Sequence, residues 1–207
     1  MNQEPAIVVL AAGAGSRYHG PEHKLSAMLG GERVLARTLR NALASQMPVV
    51  LVVSERIAHE VSGLVAASDL VIVDALSQRT WGMGDSIAAG VAMRASADGW
   101  LVLPGDMPLV RPASLRSVAD ALDQQPIAYA QHRGRRGHPV GFSAEMFSEL
   151  VMLKGDEGAR RLLARYPTAP VELDDAGVLI DIDTVADLAA AQRRIDGASE
   201  IAIQAKP

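Results

Sequence analysis

The chain has 207 residues, 49% of them hydrophobic and 21% charged, which suits one sizeable globular domain. A net charge of -4 and 3% aromatic residues exclude a nucleic-acid binder that works by bulk positive charge or by stacking bases on aromatic platforms. With no cysteine, disulfides, iron–sulfur clusters and thiolate zinc sites are excluded as well.

No stretch approaches the ~20 consecutive apolar residues needed to span a bilayer, so no membrane segment is expected. The opening MNQEP carries no positive charge and the apolar run after it is only strand-length, unlike a signal peptide. A cytoplasmic location is expected.

The elements alternate in chain order. AIVVL (6–10) reads as a buried strand and ERVLARTLRNALAS (32–45) as a helix. VVLVVS (49–54) is a second strand, and Ser54 is placed to cap a helix over ERIAHEVSGLVA. LVIVD (70–74) is a third strand and residues 84–97 a helix. WLVLPGD (100–106) is a fourth strand, after which Pro112 and Ser114 open a helix to about Gln124. IAYAQ (127–131) is a fifth strand. Runs that are apolar end to end belong to strands covered on both faces, and their alternation with helices predicts an open, mostly parallel α/β sheet.

Beyond residue 131 the rhythm changes. RGRRGHPVGF is basic and glycine-rich, with His138 in a turn that leads to a short strand. A helix over 144–153 follows. VELDD and GVLIDID predict two short strands in an antiparallel excursion. The last helix, from DTVADLAAAQRRI, has Thr184 as N-cap and Asp187 three residues on. Residues 1–196 are expected to form a single domain, with 197–207 a frayed tail.

In open α/β sheets, ligands bind beyond the carboxyl ends of the strands. AAGAGSR after the first strand offers bare backbone N–H groups suited to an oxygen-rich anion. Arg17 and Lys24 add full charges for a polyphosphate, or else are solvated around a plain tight turn. The loop is not a P-loop, because Pro21 follows Gly20 where lysine is required. It is not a dinucleotide fingerprint either: Tyr18 stands where the third glycine belongs, although Glu55 ends the second strand where a ribose-binding acid could stand. In PGDMP, Asp106 is a candidate Mg²⁺ ligand or a cap for the next turn. Asp183, or Asp181 beside it, is a candidate second carboxylate, with helix capping as the competing role for Asp183. His138 has no acid or thiol at metal-ligand spacing, which leaves a second-substrate pocket or a plain turn. Arg133, Arg135 and Arg136 read as mostly solvated, with one available to an anionic substrate.

These stretches together resemble the MobA-like nucleotidyltransferases, which share a Rossmann-like GT-A fold. LAAGAGSR (10–17) with Lys24, GMGDSI (82–87), GDMPLV (105–110), GHPVGF (137–142), GDEGAR (155–160) and DIDTVADL (181–188) stand in the order of the molybdenum cofactor cytidylyltransferase-like branch. The resemblance implies a three-layer open sheet with a small antiparallel excursion. It also implies transfer of a nucleoside monophosphate from an NTP to a phosphorylated acceptor, the molybdopterin cofactor first, with Mg²⁺ as cofactor. The alternatives are a methylerythritol or sugar phosphate as acceptor, or a non-catalytic maturation factor. On this resemblance Leu10, Ala11, Ala12 and Gly13 contact the nucleotide through backbone, together with Gly82 and Ser86 near the base. Arg17 and Lys24 hold the triphosphate, Asp106 and Asp183 hold the metal, and Gly137 and His138 face the acceptor. A molybdenum enzyme is the implied client. LAAG in place of LAGG leans towards CTP over GTP. Two features depart from the branch: the spacing RYHGPEHK exceeds the usual RMGxxK, and the segment DALSQRTW before GMGDS is longer than usual.

Overall fold

Alternate residues of the first strand, β1 (Ala6–Ala11), point into two different cores: Ile7, Val9 and Ala11 into one, Ala6 and Val8 into the other. Each is essentially inaccessible to water. A strand buried on both faces needs a layer of helices on each side, and the rest of the chain supplies them. The protein is described here from a computed structural model covering residues 4–61, 63–74 and 81–204.

The other strands are β2 (Met28–Leu29), β3 (Glu32–Arg33), β4 (Val49–Ser54), β5 (Leu70–Val73), β6 (Gly99–Pro104), β7 (Ile127–His132), β8 (Arg135–Ser143) and β9 (Thr168–Glu172). The helices are α1 (Val34–Ala44), α2 (Glu55–Ala58), α3 (Met83–Met93), α4 (Pro112–Asp120), α5 (Phe147–Val151), α6 (Arg160–Arg165) and α7 (Val185–Gln204). A seven-stranded sheet runs β5-β4-β1-β6-β8-β7-β9, and β2 and β3 form a separate antiparallel pair. Neighbours in the large sheet are parallel except at β8, which runs antiparallel to both β6 and β7.

Leu35 and Leu39 of α1, Leu115 and Val118 of α4 and Ala191 of α7 belong to one core. Ile87 and Val91 of α3, Leu150 of α5 and Leu162 of α6 belong to the other, with Trp100 and Phe142. The result is a three-layer α/β/α arrangement. Each fully buried Val, Leu or Ile side chain contributes about 1.5–3 kcal/mol of transfer free energy. The cores therefore hold the loops at the strand ends on a stiff platform.

Several expectations about elements need correction. The helix expected over 55–66 is one turn, α2, followed by a 3-10 turn at His59–Val61. Gly63 at φ +86° then turns the chain away, and Ser54 makes no side-chain cap bond. His138 lies within the nine-residue strand β8, not in a turn; the reversal falls earlier, at Arg133 (φ 51°) and Gly134 (φ 74°). GVLIDID forms no strand: Asp175 accepts the Gly177 N–H and opens a 3-10 turn over Ala176–Leu179. The antiparallel excursion is β8, with the small β2–β3 pair, while β9 joins the sheet parallel to β7. Helix α7 continues to Gln204, into the segment expected as a tail. The long segment expected before GMGDS falls mostly at 75–80, outside the described residues.

Candidate active site

The chain leaves β1 for β4 on one side and reaches β6 on the other, so the crevice between the carboxyl ends of β1 and β6 is the switch point of the sheet. The Gly105 N–H donates to the Leu10 carbonyl at 2.8 Å, which pins the two loops together just below that crevice. Above them opens a cavity of about 700 Å³. Leu10, Ala11, Ala12, Gly13, Arg17 and Lys24 border it from the first loop. Gly82 and Ser86 border it from the start of α3, Asp106 from the end of β6, Gly137 and His138 from β8, and Asp181 and Asp183 from the segment before α7. Residues far apart in sequence thus share one cavity.

At its floor the Lys24 Nζ donates to Asp106 Oδ2 at 2.6 Å and to Asp183 Oδ1 at 2.7 Å. Burial alone would depress the Lys24 ammonium, yet the Asp106 and Asp183 carboxylates outweigh it and hold its pKa above the usual lysine value. Arg17 reaches the other Asp183 oxygen, Oδ2, at 2.5 Å. Its side chain is 77% exposed, against 13% for Lys24. Arg17 is therefore an exposed outer cation and Lys24 a largely buried inner one.

The two acids are brought together by local structure. The Ile182 N–H donates to the Asp106 backbone carbonyl at 2.9 Å, so the chain before α7 runs alongside the β6 loop. Asp187 accepts from the Thr184 N–H and hydroxyl, both at 2.7 Å, and the Thr184 hydroxyl accepts from the Asp187 N–H. That capping box leaves the Asp183 carboxylate to face the cavity. Asp106 Oδ1 is buried and has no hydrogen-bond partner, so Asp106 does not cap the following turn. Among the described residues no three His, Asp or Glu side chains cluster tightly enough to hold a metal alone. A pair of carboxylates with an unpartnered oxygen suits a Mg²⁺-like ion that draws its remaining ligands from phosphate and water. Burial pushes the Asp181 carboxyl above its usual range, and the Asp183 and Asp106 charges add to the effect.

The first loop is held by a residue that sequence reasoning passed over. His23 is buried, accepts the Leu25 N–H at Nδ1 (3.3 Å) and meets the Gly13 carbonyl at Nε2 (3.2 Å). Both contacts are satisfied by the neutral Nε2–H tautomer. His23 lies within the long Arg17–Lys24 spacing, which also contains His19, so nothing in the sequence singles it out. Burial pushes its pKa below the usual histidine range.

The far wall is built by close backbone approach. A Cβ on Gly82 would lie 2.1 Å from the Gly155 carbonyl carbon, and Asp85 Oδ2 accepts the N–H groups of Gly82 and Gly155, each at 2.9 Å. GMGDSI thereby docks on GDEGAR. Gly137 has the same character: a Cβ there would meet the Val178 carbonyl oxygen at 2.0 Å. Ser86 is buried, accepting from Trp81 Nε1 at 2.8 Å while its Oγ lies 3.3 Å from the Gly82 carbonyl oxygen. The Trp81 indole therefore borders the cavity in front of it. One of two tryptophans in the chain, next to a glycine-rich motif, was a usable signal. Arg135 and Arg136 also border the cavity, and the Arg136 guanidinium lies 5.3 Å from the Tyr129 ring centroid. His138 Nδ1 is buried and unpartnered. Burial depresses the His138 pKa, partly offset by the Asp106 charge.

Residues 7–171 match the family model described as the MobA-like NTP transferase domain. The chain belongs to this family. It is 33% identical over 197 residues to the purine catabolism protein PucB of Bacillus subtilis, covering 88% of this chain and 94% of PucB. It is 30% identical over 158 residues to the bifunctional protein GlmU of Corynebacterium diphtheriae, where the match covers 74% of this chain but only 31% of GlmU. The crystal structure of Rv0371c from Mycobacterium tuberculosis superposes with a TM-score of 0.78 at 28% identity, over 93% of this chain and 99% of that one. A manganese complex of Rv0371c superposes at 0.75 and 27%, over 93% and 99%.

As a MobA-like nucleotidyltransferase, the protein places its shared motifs around a single cavity. His23 tethers the Arg17–Lys24 segment to Gly13. Among the described residues no helix is long and apolar enough to cross a membrane.

Proposed function

We propose that residues 1–196 act as one catalytic domain that transfers CMP from CTP to the phosphate of the molybdopterin cofactor and releases pyrophosphate. The observation that carries the reading is the convergence of Lys24, Arg17, Asp106 and Asp183 beneath a loop of bare backbone.

The backbone of Leu10–Gly13 receives the nucleotide, and Arg17 and Lys24 offset the charge of its triphosphate. An acceptor phosphate oxygen attacks the α-phosphorus in line, a bond forms there, and the bond to the bridging oxygen of the β-phosphate breaks. Such chemistry depends mainly on positioning and on neutralising charge. Asp106 and Asp183 are the residues that would hold Mg²⁺, which when bound supplies Lewis-acid neutralisation of the triphosphate. Arg135, Arg136 and His138 line the side from which a phosphorylated acceptor enters. Ala12 in LAAG supports CTP, by one methyl group in a backbone-lined pocket.

The client is a molybdenum enzyme; the likeness to PucB, named for purine catabolism, supports a client in that metabolism. The second reading is a maturation factor that carries the cofactor without turnover.

A thermal-shift series with CTP, GTP, ATP, UTP and NADPH, each with and without Mg²⁺, tests the nucleotide. A ligand at ~100 times its dissociation constant stabilises by about 2.7 kcal/mol. A Mg²⁺-dependent shift selective for CTP is expected. A GTP-selective shift moves the protein to guanylyl transfer, and no shift with any NTP overturns the reading.

A further inference from the structure

Lys24 stands between the two acids that are the candidate metal ligands. Its Nζ satisfies one oxygen from each of two acids, Asp106 Oδ2 at 2.6 Å and Asp183 Oδ1 at 2.7 Å. The remaining Asp183 oxygen is held by Arg17, and Asp106 Oδ1 is buried with no partner. A Mg²⁺-sized ion binds carboxylate oxygen at about 2.0–2.1 Å. It cannot take Asp106 Oδ2 and Asp183 Oδ1 while the Lys24 ammonium holds both, and at Asp106 Oδ1 alone it would crowd a second cation onto the same pair of acids in a partly dehydrated site.

We propose that Lys24 is a built-in placeholder for the metal: in the nucleotide-free protein its ammonium fills the cation position between Asp106 and Asp183, and the arriving triphosphate draws it off, so that the metal enters with the nucleotide or after it. The triphosphate as the displacing group rests on the nucleotidyltransferase reading. The chemistry of lysine suits the role. Its charge is a point at the end of four flexible methylenes, able to swing from a carboxylate pair to a phosphate without matching a planar geometry. The partly buried acids are never left without a counter-charge, which would be strongly unfavourable. Arg17, largely exposed, follows the same exchange at the rim.

The placeholder gives Lys24 effects of opposite sign on two ligands. Binding of MnCl2 alone is measured by the electron paramagnetic resonance of free Mn²⁺, with wild type, Lys24→Met and Lys24→Arg. Lys24→Met is expected to bind Mn²⁺ at least ~10-fold more tightly than wild type, since the acids lose their internal cation. Lys24→Arg, which keeps the charge, is expected to stay weak. Lys24→Gln replaces Lys24→Met if the latter does not fold. Mn²⁺ affinity of the neutral variant equal to or below wild type, or no binding by either, overturns the placeholder. CTP binding to wild type, read in parallel by thermal shift, separates the two claims. Tighter Mn²⁺ in the variant with no CTP binding by wild type keeps the placeholder and removes the nucleotidyltransferase reading.

Discussion

Lys24 and Asp183 are 159 positions apart in the chain, yet the Lys24 Nζ donates to Asp183 Oδ1 at 2.7 Å. The contact closes the first loop of the sheet against the segment that precedes the last helix. It also fixes where a charged group entering the cavity meets its first buried cation. Lys24→Ala is accordingly expected to weaken CTP binding by at least ~10-fold while weakening CMP binding far less, because the ammonium serves the β- and γ-phosphates. Titration calorimetry with both nucleotides checks this, and equal losses contradict the role.

Asp106 presents one oxygen to Lys24 and keeps the other without a partner. Asp106→Ala is expected to lower metal-dependent turnover by at least ~10²-fold, the scale on which removal of a charge-stabilising group is felt. The far-ultraviolet circular dichroism should be unchanged, because the carboxylate belongs to neither core. Full activity in the mutant refutes the metal assignment.

Gly82 has no room for a side chain, since a Cβ would fall 2.1 Å from the backbone of Gly155. Gly82→Ala must push α3 away from the 154–156 segment. Overpacking of this kind costs ~1–3 kcal/mol, to be read as a lower urea midpoint. Trp81, hydrogen-bonded to Ser86 beside it, should report the shift in its fluorescence. A midpoint equal to wild type would show that the two motifs are not packed as described.

Acidification should loosen the nucleotide loop. Burial lowers the pKa of His23 in the fold below the 6.5 of an unperturbed histidine. Above that value both folded and unfolded states are neutral and the group contributes no pH dependence. As the pH falls through 6.5 the unfolded chain takes up the proton first, so stability declines towards the lower folded pKa. His138, likewise depressed by burial, adds in the same direction. Urea unfolding at pH 7.5 and 5.5 should show wild type losing stability on acidification and His23→Gln losing less. An identical pH response in the two proteins contradicts the account of His23.

The alternation of strands and helices was legible because β1, β4 and β6 are apolar end to end, which only a sheet covered on both faces explains. Arg17, Lys24 and Asp106 were legible because lone charges and glycine-rich turns stand at the carboxyl ends of β1 and β6, whereas Leu10–Gly13, Gly82, Ser86 and Gly137 were named only through the family resemblance. What sequence did not reveal depends on contacts between distant segments. The bend at Gly177 follows from Asp175, whose buried carboxylate also accepts from Ser114 and Arg111. The antiparallel direction of β8 depends on its insertion between β6 and β7. The tether from His23 to Gly13 is read from three dimensions, since a buried histidine and a solvated one look alike in a polar loop.

The most direct test of the central claim is pyrophosphate release from CTP, followed with purified protein, Mg²⁺ and the molybdopterin cofactor, with each component omitted in turn. The account predicts pyrophosphate in equal amount to cytidylylated cofactor, lost when CTP, Mg²⁺ or acceptor is left out. Tight cofactor binding with no pyrophosphate from any NTP would contradict it and leave a carrier in place of a transferase.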